Sequence, residues 1–511
     1  MRFKSGAFDD QDGIFPGQNK FGRDNDAADE VWNVSGKSKS IDAEAVSIAA
    51  SHADSKSTWA PPFEERQGWL HRRGHTITFI ALFIFSIVLY IRPYESIPAL
   101  SSFTSMAFYT GVATLIIFAF TQFSIEGNLT ARPREINLVL LFGLAALLSM
   151  PMAEVPAEAW QTFTEFLLKM IVIFVVIVNV VRTESRLKLL LLLVMAVSVY
   201  LSVNAIYDYQ RGFFQMGNIE TYDARITGRI KGLFENSNDL AMHLVTMIPI
   251  AVALGLSKTG PFRKLVFWGA AALMVGAVVV SFSRGGFLGL IAAVFVLARR
   301  LGRKSKGTTT VALVFAAILF VALAPGAYSS RLATIFNSSA DLTTSSTQRT
   351  EVLKRSVWVA LRYPLFGIGI GNSPHKMPRN LATHNTYTQV ASEMGLAALA
   401  CYILFLIHPF KRLRLIEKES DSTPEQKRFF YLSIGLQAAL VGYMVSSFFG
   451  SVAYQWYVYY LVGYAVCLHR LFIMEFQSEK GLTPEFWEHP FSKKREQMVT
   501  TGEPASQPGP A

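Results

Sequence analysis

The strongest constraint on this chain is a succession of long apolar stretches separated by short polar connections. About twelve of them run roughly 17–24 residues each, close to the ~20 residues a helix needs to cross the hydrocarbon core of a bilayer. They fall near 75–92, 102–123, 136–152, 162–181, 186–206, 237–256, 264–282, 285–300, 309–325, 386–408, 429–450 and 454–473. Lipid offers no partner to an unpaired backbone N–H or C=O, so such stretches are expected to be helices. The expected fold class is an all-α polytopic membrane protein of about 12 transmembrane helices with one large external loop. Composition agrees. Of 511 residues, 51% are hydrophobic and 17% charged, and the mean hydropathy is +0.31, too apolar for a soluble domain.

The ends read differently. Residues 1–72 are polar and without periodicity and read as a disordered cytoplasmic tail; no short apolar run with a cleavage site opens the chain. Residues 73–475 form the transmembrane domain, and 476–511 a second disordered cytoplasmic tail. The only cysteines, Cys401 and Cys467, lie inside apolar runs and suggest neither a disulfide framework nor a zinc site. No metal or cofactor is expected.

Charge sets the orientation. Residues 1–70 hold eight Lys/Arg against twelve Asp/Glu, a net −4, which leaves +15 on the rest of a chain of net +11. With a cytoplasmic N-terminus, most of these cations fall in the inner connections, as the positive-inside rule demands, and both termini are cytoplasmic. No basic and aromatic stripe suggests nucleic-acid binding. Three outer segments break the rule: 207–236, the turn Ser281-Phe282-Ser283-Arg284, and the long loop 326–385. Cations held against the insertion bias point to an anionic ligand outside the membrane.

Arg284 follows one apolar stretch and, with Gly285-Gly286, opens the next. At the outer boundary its guanidinium can grip a diphosphate bidentately, and the glycines permit close backbone approach. The bland alternative is an interfacial arginine that snorkels. Arg229 and Lys231 precede Asn236 and Asn238, either of which can cap the sixth span. Arg229 then sits above a helix N-terminus, a place suited to anions. His384 lies where the tenth span begins, before Asn385. A helix N-terminus disfavours imidazolium, so His384 is expected to be neutral and able to accept a proton; a solvated capping histidine is the commoner fate. Arg229, Arg284 and His384 are far apart in sequence, yet the parity of crossings puts all three at one face.

Residues 350–362 fit an amphipathic helix, with Val352, Leu353, Val357 and Leu361 toward the membrane and Lys354, Arg355 and Arg362 toward polar groups. The run Gly367, Gly369, Gly371 lacks the strand of a dinucleotide site and reads as a tight turn. Glu165 and Lys169 are spaced as an i,i+4 ion pair. Glu393 is out of phase with His384, and His243 reads as structural or cavity-lining.

At these residues the chain resembles the O-antigen ligase and O-antigen polymerase family of bacterial inner-membrane proteins. Three stretches carry the resemblance: Arg229 to Ala241, Ser281 to Gly286, and Gln348 to Gly395, within a ligase-like region of about 225–410. The resemblance implies a membrane glycosyltransferase C-type architecture with the long loop periplasmic. It implies a donor glycan on undecaprenyl diphosphate and an acceptor sugar hydroxyl, in lipid A core or a growing polysaccharide, with membrane lipid the other partner. By analogy Arg229 and Arg284 hold the diphosphate and His384 is the base, supported by Arg349 and Asn385; Asn238, Lys231 and Arg355 complete the expected substrate contacts. Two other classes remain open. A transporter or flippase would favour internal repeats and midplane charges; a peptidoglycan-type polymerase would want an external carboxylate, for which Asp341 is the loop's sole candidate.

Overall fold

The structure is a computed structural model. It describes residues 75–96, 100, 102–103, 105–126, 130–131, 133–212, 215–216, 224–225, 234, 236–257, 260–302, 345–420 and 426–480. Arg229, Lys231, Asp341, the expected span 309–325 and nearly all of both tails lie outside these residues.

Regular secondary structure among the described residues is helical apart from one two-residue antiparallel pairing, Gln215–Met216 with Ala224–Arg225. The helices are α1 (Thr76–Ile91), α2 (Met106–Glu126), α3 (Arg134–Ser149), α4 (Pro156–Val180) and α5 (Glu184–Gln210). Then come α6 (Ser237–Leu256), α7 (Pro261–Val280) and α8 (Arg284–Leu301). The last four are α9 (Ser345–Arg362), α10 (Thr386–Glu419), α11 (Lys427–Ser446) and α12 (Trp456–Lys480). Their starts follow from local chemistry. Pro156 and Pro261 open α4 and α7, where a missing N–H costs nothing. Side-chain oxygens of Thr183, Asn236, Ser283 and Asn385 accept from the first free amides of α5, α6, α8 and α10.

Among the described residues, nine helices are long and apolar enough to cross a membrane. Two further expected stretches fall on helices as well. The first is α1, with 16 residues; the second is α8, which carries Arg284, Arg299 and Arg300. The chain is therefore a multi-pass membrane protein. Within the bundle α6 and α12 are central, with 83% of their apolar windows buried, and α2 is peripheral at 17%. Helix α6 packs on α7, α8 and α11, while α10 packs on α3, α9, α11 and α12. His243 is buried among Phe234, Trp456 and Tyr457, with Nε2 2.9 Å from Ser198 Oγ, and is a core residue.

Two pairings differ from the sequence reading. Glu165 and Lys169 form no ion pair among the described residues; both are exposed, and the turn Phe163–Leu167 that holds Glu165 is π-helical. Val352 does not face the membrane. It is buried with Val359, Ile368 and Met377, and it is Val357 and Leu361 that are exposed.

Helix α10 is broken at Gly395, whose φ of 86° and ψ of 175° belong to a region almost reserved for glycine. The segment 364–369 repairs the break. Leu396 N–H donates to Pro364 O at 2.8 Å; Ile368 and Gly369 donate to Ser392 O and Glu393 O, each at 2.9 Å. In continuous helix those two carbonyls would accept from residues 396 and 397, so the loop supplies two donors and one acceptor in place of helical bonds. The glycine run allows this approach. Gly367, Gly369 and Gly371 all have positive φ, and a Cβ on Gly369 would lie 2.5 Å from that of Ala153. The run is a tight turn, as its spacing suggested.

At the end of the bundle where α3 begins, Glu135 accepts from His408 at 2.8 Å and lies 3.3 Å from Arg412, whose Nη1 is 3.4 Å from His469. This buried cluster joins α3, α10 and α12.

Candidate functional site

The site assembles around the turn between α11 and α12, residues 447–455. Four elements reach it through separate contacts. From α8, Gly285 lies so close that a Cβ would sit 2.6 Å from Phe449 Cβ. From α6, Met242 approaches Gly450, with 3.3 Å between its methyl and a Cβ built there. From the start of α10, Thr386 Oγ1 donates to Gly450 O at 2.6 Å and accepts from Val452 N at 3.1 Å. Ahead of α10, Thr383 Oγ1 lies 2.8 Å from Ser451 Oγ.

Arg284 begins α8 and is half-buried. The turn before it is internally fixed. Ser283 N donates to Ser281 Oγ at 3.3 Å, and Ser283 Oγ accepts from Gly286 N at 3.1 Å while donating to Asn238 Oδ1 at 2.8 Å. Asn238 thereby locks the Arg284 turn to the first turn of α6, where Asn236 is the cap. The glycines play a different part from the one their sequence suggests. A Cβ on Gly286 would lie 2.5 Å from Ala241 Cβ. Gly285 and Gly286 therefore serve the close approach of helices, and the backbone there is covered by Phe449 and Ala241 rather than open to a ligand.

His384 is half-buried with φ of 50°, between two anchored neighbours. The helix cap is Asn385, whose Oδ1 accepts from Tyr387 N at 2.9 Å and Thr388 N at 3.0 Å. The left-handed backbone turns the chain at His384 just before that cap. Asn385 is 2% exposed, and its Nδ2 has no hydrogen-bond partner among the described residues. A buried amide donor left unpaired is a group a ligand can satisfy.

Arg349 is half-buried on α9. Arg355, on the same helix, is exposed; its Nε donates to Lys376 O at 3.1 Å and its guanidinium lies 4.3 Å over the Trp358 ring. Below this helix the loop is clamped to the α3–α4 connection. Lys376 pairs with Glu154 at 2.6 Å, His375 with Glu158 at 2.7 Å, and Asn372 Oδ1 accepts from Val155 N at 2.8 Å. The Lys376 ammonium holds the Glu154 carboxyl below its usual range. Lys376, one of the cations that break the expected positive-inside pattern, is thus answered by Glu154.

Glu393 faces the glycine run rather than His384. Its buried carboxylate accepts from Gly371 N at 2.9 Å and Tyr454 Oη at 2.6 Å. Burial and the adjacent carboxylate push the Tyr454 phenol well above its ordinary value, so it remains a donor. Sequence reasoning passed over Tyr454, Ser451 and Thr386. The turn that holds Tyr454 and Ser451 lacks charge, and its one sequence signal is a glycine followed by an aromatic run from Tyr454 to Tyr460.

A multi-pass helical membrane protein in which the neighbours of Arg284 and His384 pack on one interhelical turn is the class defined so far. Residues 269–403 match the model of the O-antigen ligase family, and this stretch, from α7 into α10, is an O-antigen ligase family region. It contains Arg284, Arg349, Arg355, His384 and Asn385; Asn238 lies outside it. The family implies a glycan ligase or polymerase enzyme acting on lipid-linked glycan substrates at the bacterial inner membrane. No curated protein matches the chain.

Proposed function

We propose that the protein moves a glycan from undecaprenyl diphosphate to an acceptor sugar hydroxyl at the periplasmic face. The observation that supports this best is the shared turn 447–452. Arg284 and His384 are distant in sequence, yet their flanking residues pack on Phe449, Gly450 and Ser451. His384 takes the acceptor hydroxyl proton. The acceptor oxygen attacks the anomeric carbon of the donor, and the bond from that carbon to the diphosphate oxygen breaks. The negative charge gathering on the leaving diphosphate is held by Arg284 and Arg229, where it counts most in the transition state. In-line attack inverts the anomeric centre.

Asn385 supports substrate through its unpaired Nδ2, and Asn238 is a positioning residue acting through Ser283. Arg349 and Lys231 complete the anion contacts, and Arg355 with Trp358 lines the polar edge of α9. The donor enters from the membrane, and the acceptor is lipid A core or a growing chain.

The test is complementation of a deletion strain with His384→Ala, Arg284→Ala and Arg229→Ala, reading surface glycans on gels. Lost long-chain lipopolysaccharide with accumulated lipid-linked polymer indicates ligation, and single-repeat lipopolysaccharide indicates polymerisation. Normal glycans from all three well-expressed variants overturn the assignment. General base catalysis supplies ~10²–10⁴ in rate, so His384→Ala is expected to lower the initial rate by about that factor.

A further inference from the structure

The end of the bundle opposite Arg284 carries a second feature. Helix α7 runs from Arg263 near its start toward the Arg284 turn after its end. At the Arg263 end a groove of about 1020 Å³ opens between α5, α6 and α7. Its mouth holds three cations, Lys188, Arg263 and Arg428. Its depth is lined by apolar side chains, Leu192, Met195 and Val199 from α5 facing Val266 and Ala270 from α7. Met195 and Ala270 are buried at its floor; Leu192 and Val266 stand half out at its lips, 42% and 51% exposed.

Among the described residues the charge at the mouth is not fully cancelled. Glu184 pairs with Lys188 at 2.6 Å and with Arg428 at 2.8 Å, and Glu475 also pairs with Arg428. Two carboxylates therefore face three cations, and Arg263 makes no ion pair with any described residue. The length is informative too. Lys188 and Val199 are eleven residues apart on one helix face, about 16 Å of helix, and one leaflet contributes about half of a ~30 Å hydrocarbon core. The groove is cationic at the headgroup level and apolar for the depth of a single leaflet.

We infer that this groove binds an anionic diacyl phospholipid of the leaflet opposite the candidate site, its phosphate at Arg263 and Lys188 and an acyl chain between α5 and α7. Basic grooves between membrane helices suit anionic headgroups, because surface cations and apolar depth act together. The inference does not depend on the glycan-transfer reading.

The test uses the purified full-length protein, stripped of lipid by detergent exchange and titrated with dioleoyl phosphatidylglycerol, tetraoleoyl cardiolipin or dioleoyl phosphatidylcholine. Native mass spectrometry reads the lipid retained. Both anionic lipids are expected to be retained in preference to phosphatidylcholine. Arg263→Ala is expected to lower that preference about fivefold, the loss of ~1 kcal/mol for one cation at a membrane surface. Val266→Trp, at the exposed lip, is expected to reduce retention of all three lipids by obstructing the chain. Arg284→Ala, at the other end, is expected to leave retention unchanged, which separates this site from the donor site. Equal retention of anionic and zwitterionic lipids by the unaltered protein, or an unchanged preference in Arg263→Ala, overturns the inference. Since Arg263 is exposed and makes no ion pair with a described residue, matching melting temperatures show that the variant is folded.

Discussion

Asn385 carries two jobs on one side chain, and they can be separated. Its oxygen caps α10 and its amide nitrogen is unpaired among the described residues. Serine at this position keeps a capping oxygen and loses the amide. Asn385→Ser is therefore expected to change stability by only a few tenths of a kcal/mol, while Asn385→Ala loses about 1 kcal/mol. Glycan transfer should fall in both. Thermal melting in detergent alongside the surface-glycan gel checks this, and full activity in Asn385→Ser would remove the substrate role. Glu393 is the contrasting case, a buried carboxylate whose partners are all structural. Gly371 N–H and Tyr454 O–H donate to one oxygen of this carboxylate and Ser373 also donates to it, so Glu393→Gln sets an amide donor against one of these donors, and a loss of about 1–3 kcal/mol is expected, as for a buried donor left unsatisfied. His384 and Arg284 were legible in the sequence because charge or imidazole at an apolar boundary is conspicuous. Ser451, Thr386 and Tyr454 were not, since an uncharged side chain bonding across the fold leaves no local mark. The glycines beside Arg284 were noticed for the wrong reason: sequence shows that something comes close, but not that it is Phe449 and Ala241.

At the scale of elements, apolar periodicity located eleven of the twelve expected stretches on helices, because in lipid length and hydropathy nearly dictate the element. The i,i+4 spacing of Glu165 and Lys169 misled because both side chains are exposed, where an ion pair gains little over solvation. Helix α9 was readable as amphipathic, but its apolar residues divide between two faces. Val352 and Val359 are buried on the glycine run, whereas Trp358 and Leu361 are 50% and 69% exposed, and Leu365, just beyond the helix, is 73% exposed. Such a row beside Lys354, Arg355 and Arg362 fits an interfacial helix. The double substitution Leu361→Glu with Leu365→Glu is expected to change the melting temperature little, since neither residue is packed. It should reduce long-chain surface glycan if α9 must lie on the membrane to admit the lipid-borne donor. Unchanged glycan would limit α9 to a scaffold role.

Across the whole molecule the candidate site and the Glu135 cluster occupy opposite ends of α10 and α12. Removing one partner of a buried ion pair generally costs about 3–5 kcal/mol, because the other charge remains. Glu135→Ala is accordingly expected to lower the melting temperature sharply, and the paired change Glu135→Leu with Arg412→Met to recover much of the loss. A drop in the pair as large as in the single variant would show that His408 and His469 depend on the charges themselves. The exchange of backbone bonds at Gly395 has a consequence for how this protein can be recombined. Because Pro364, Ile368 and Gly369 complete hydrogen bonds of Ser392, Glu393 and Leu396, the joint belongs half to the loop and half to the helix. A chimera that swaps residues 326–385 for another protein's loop cuts through that joint and leaves backbone groups unpaired at membrane depth. The smallest portable module extends past Leu396, so the unit of inheritance is the loop together with the upper third of α10.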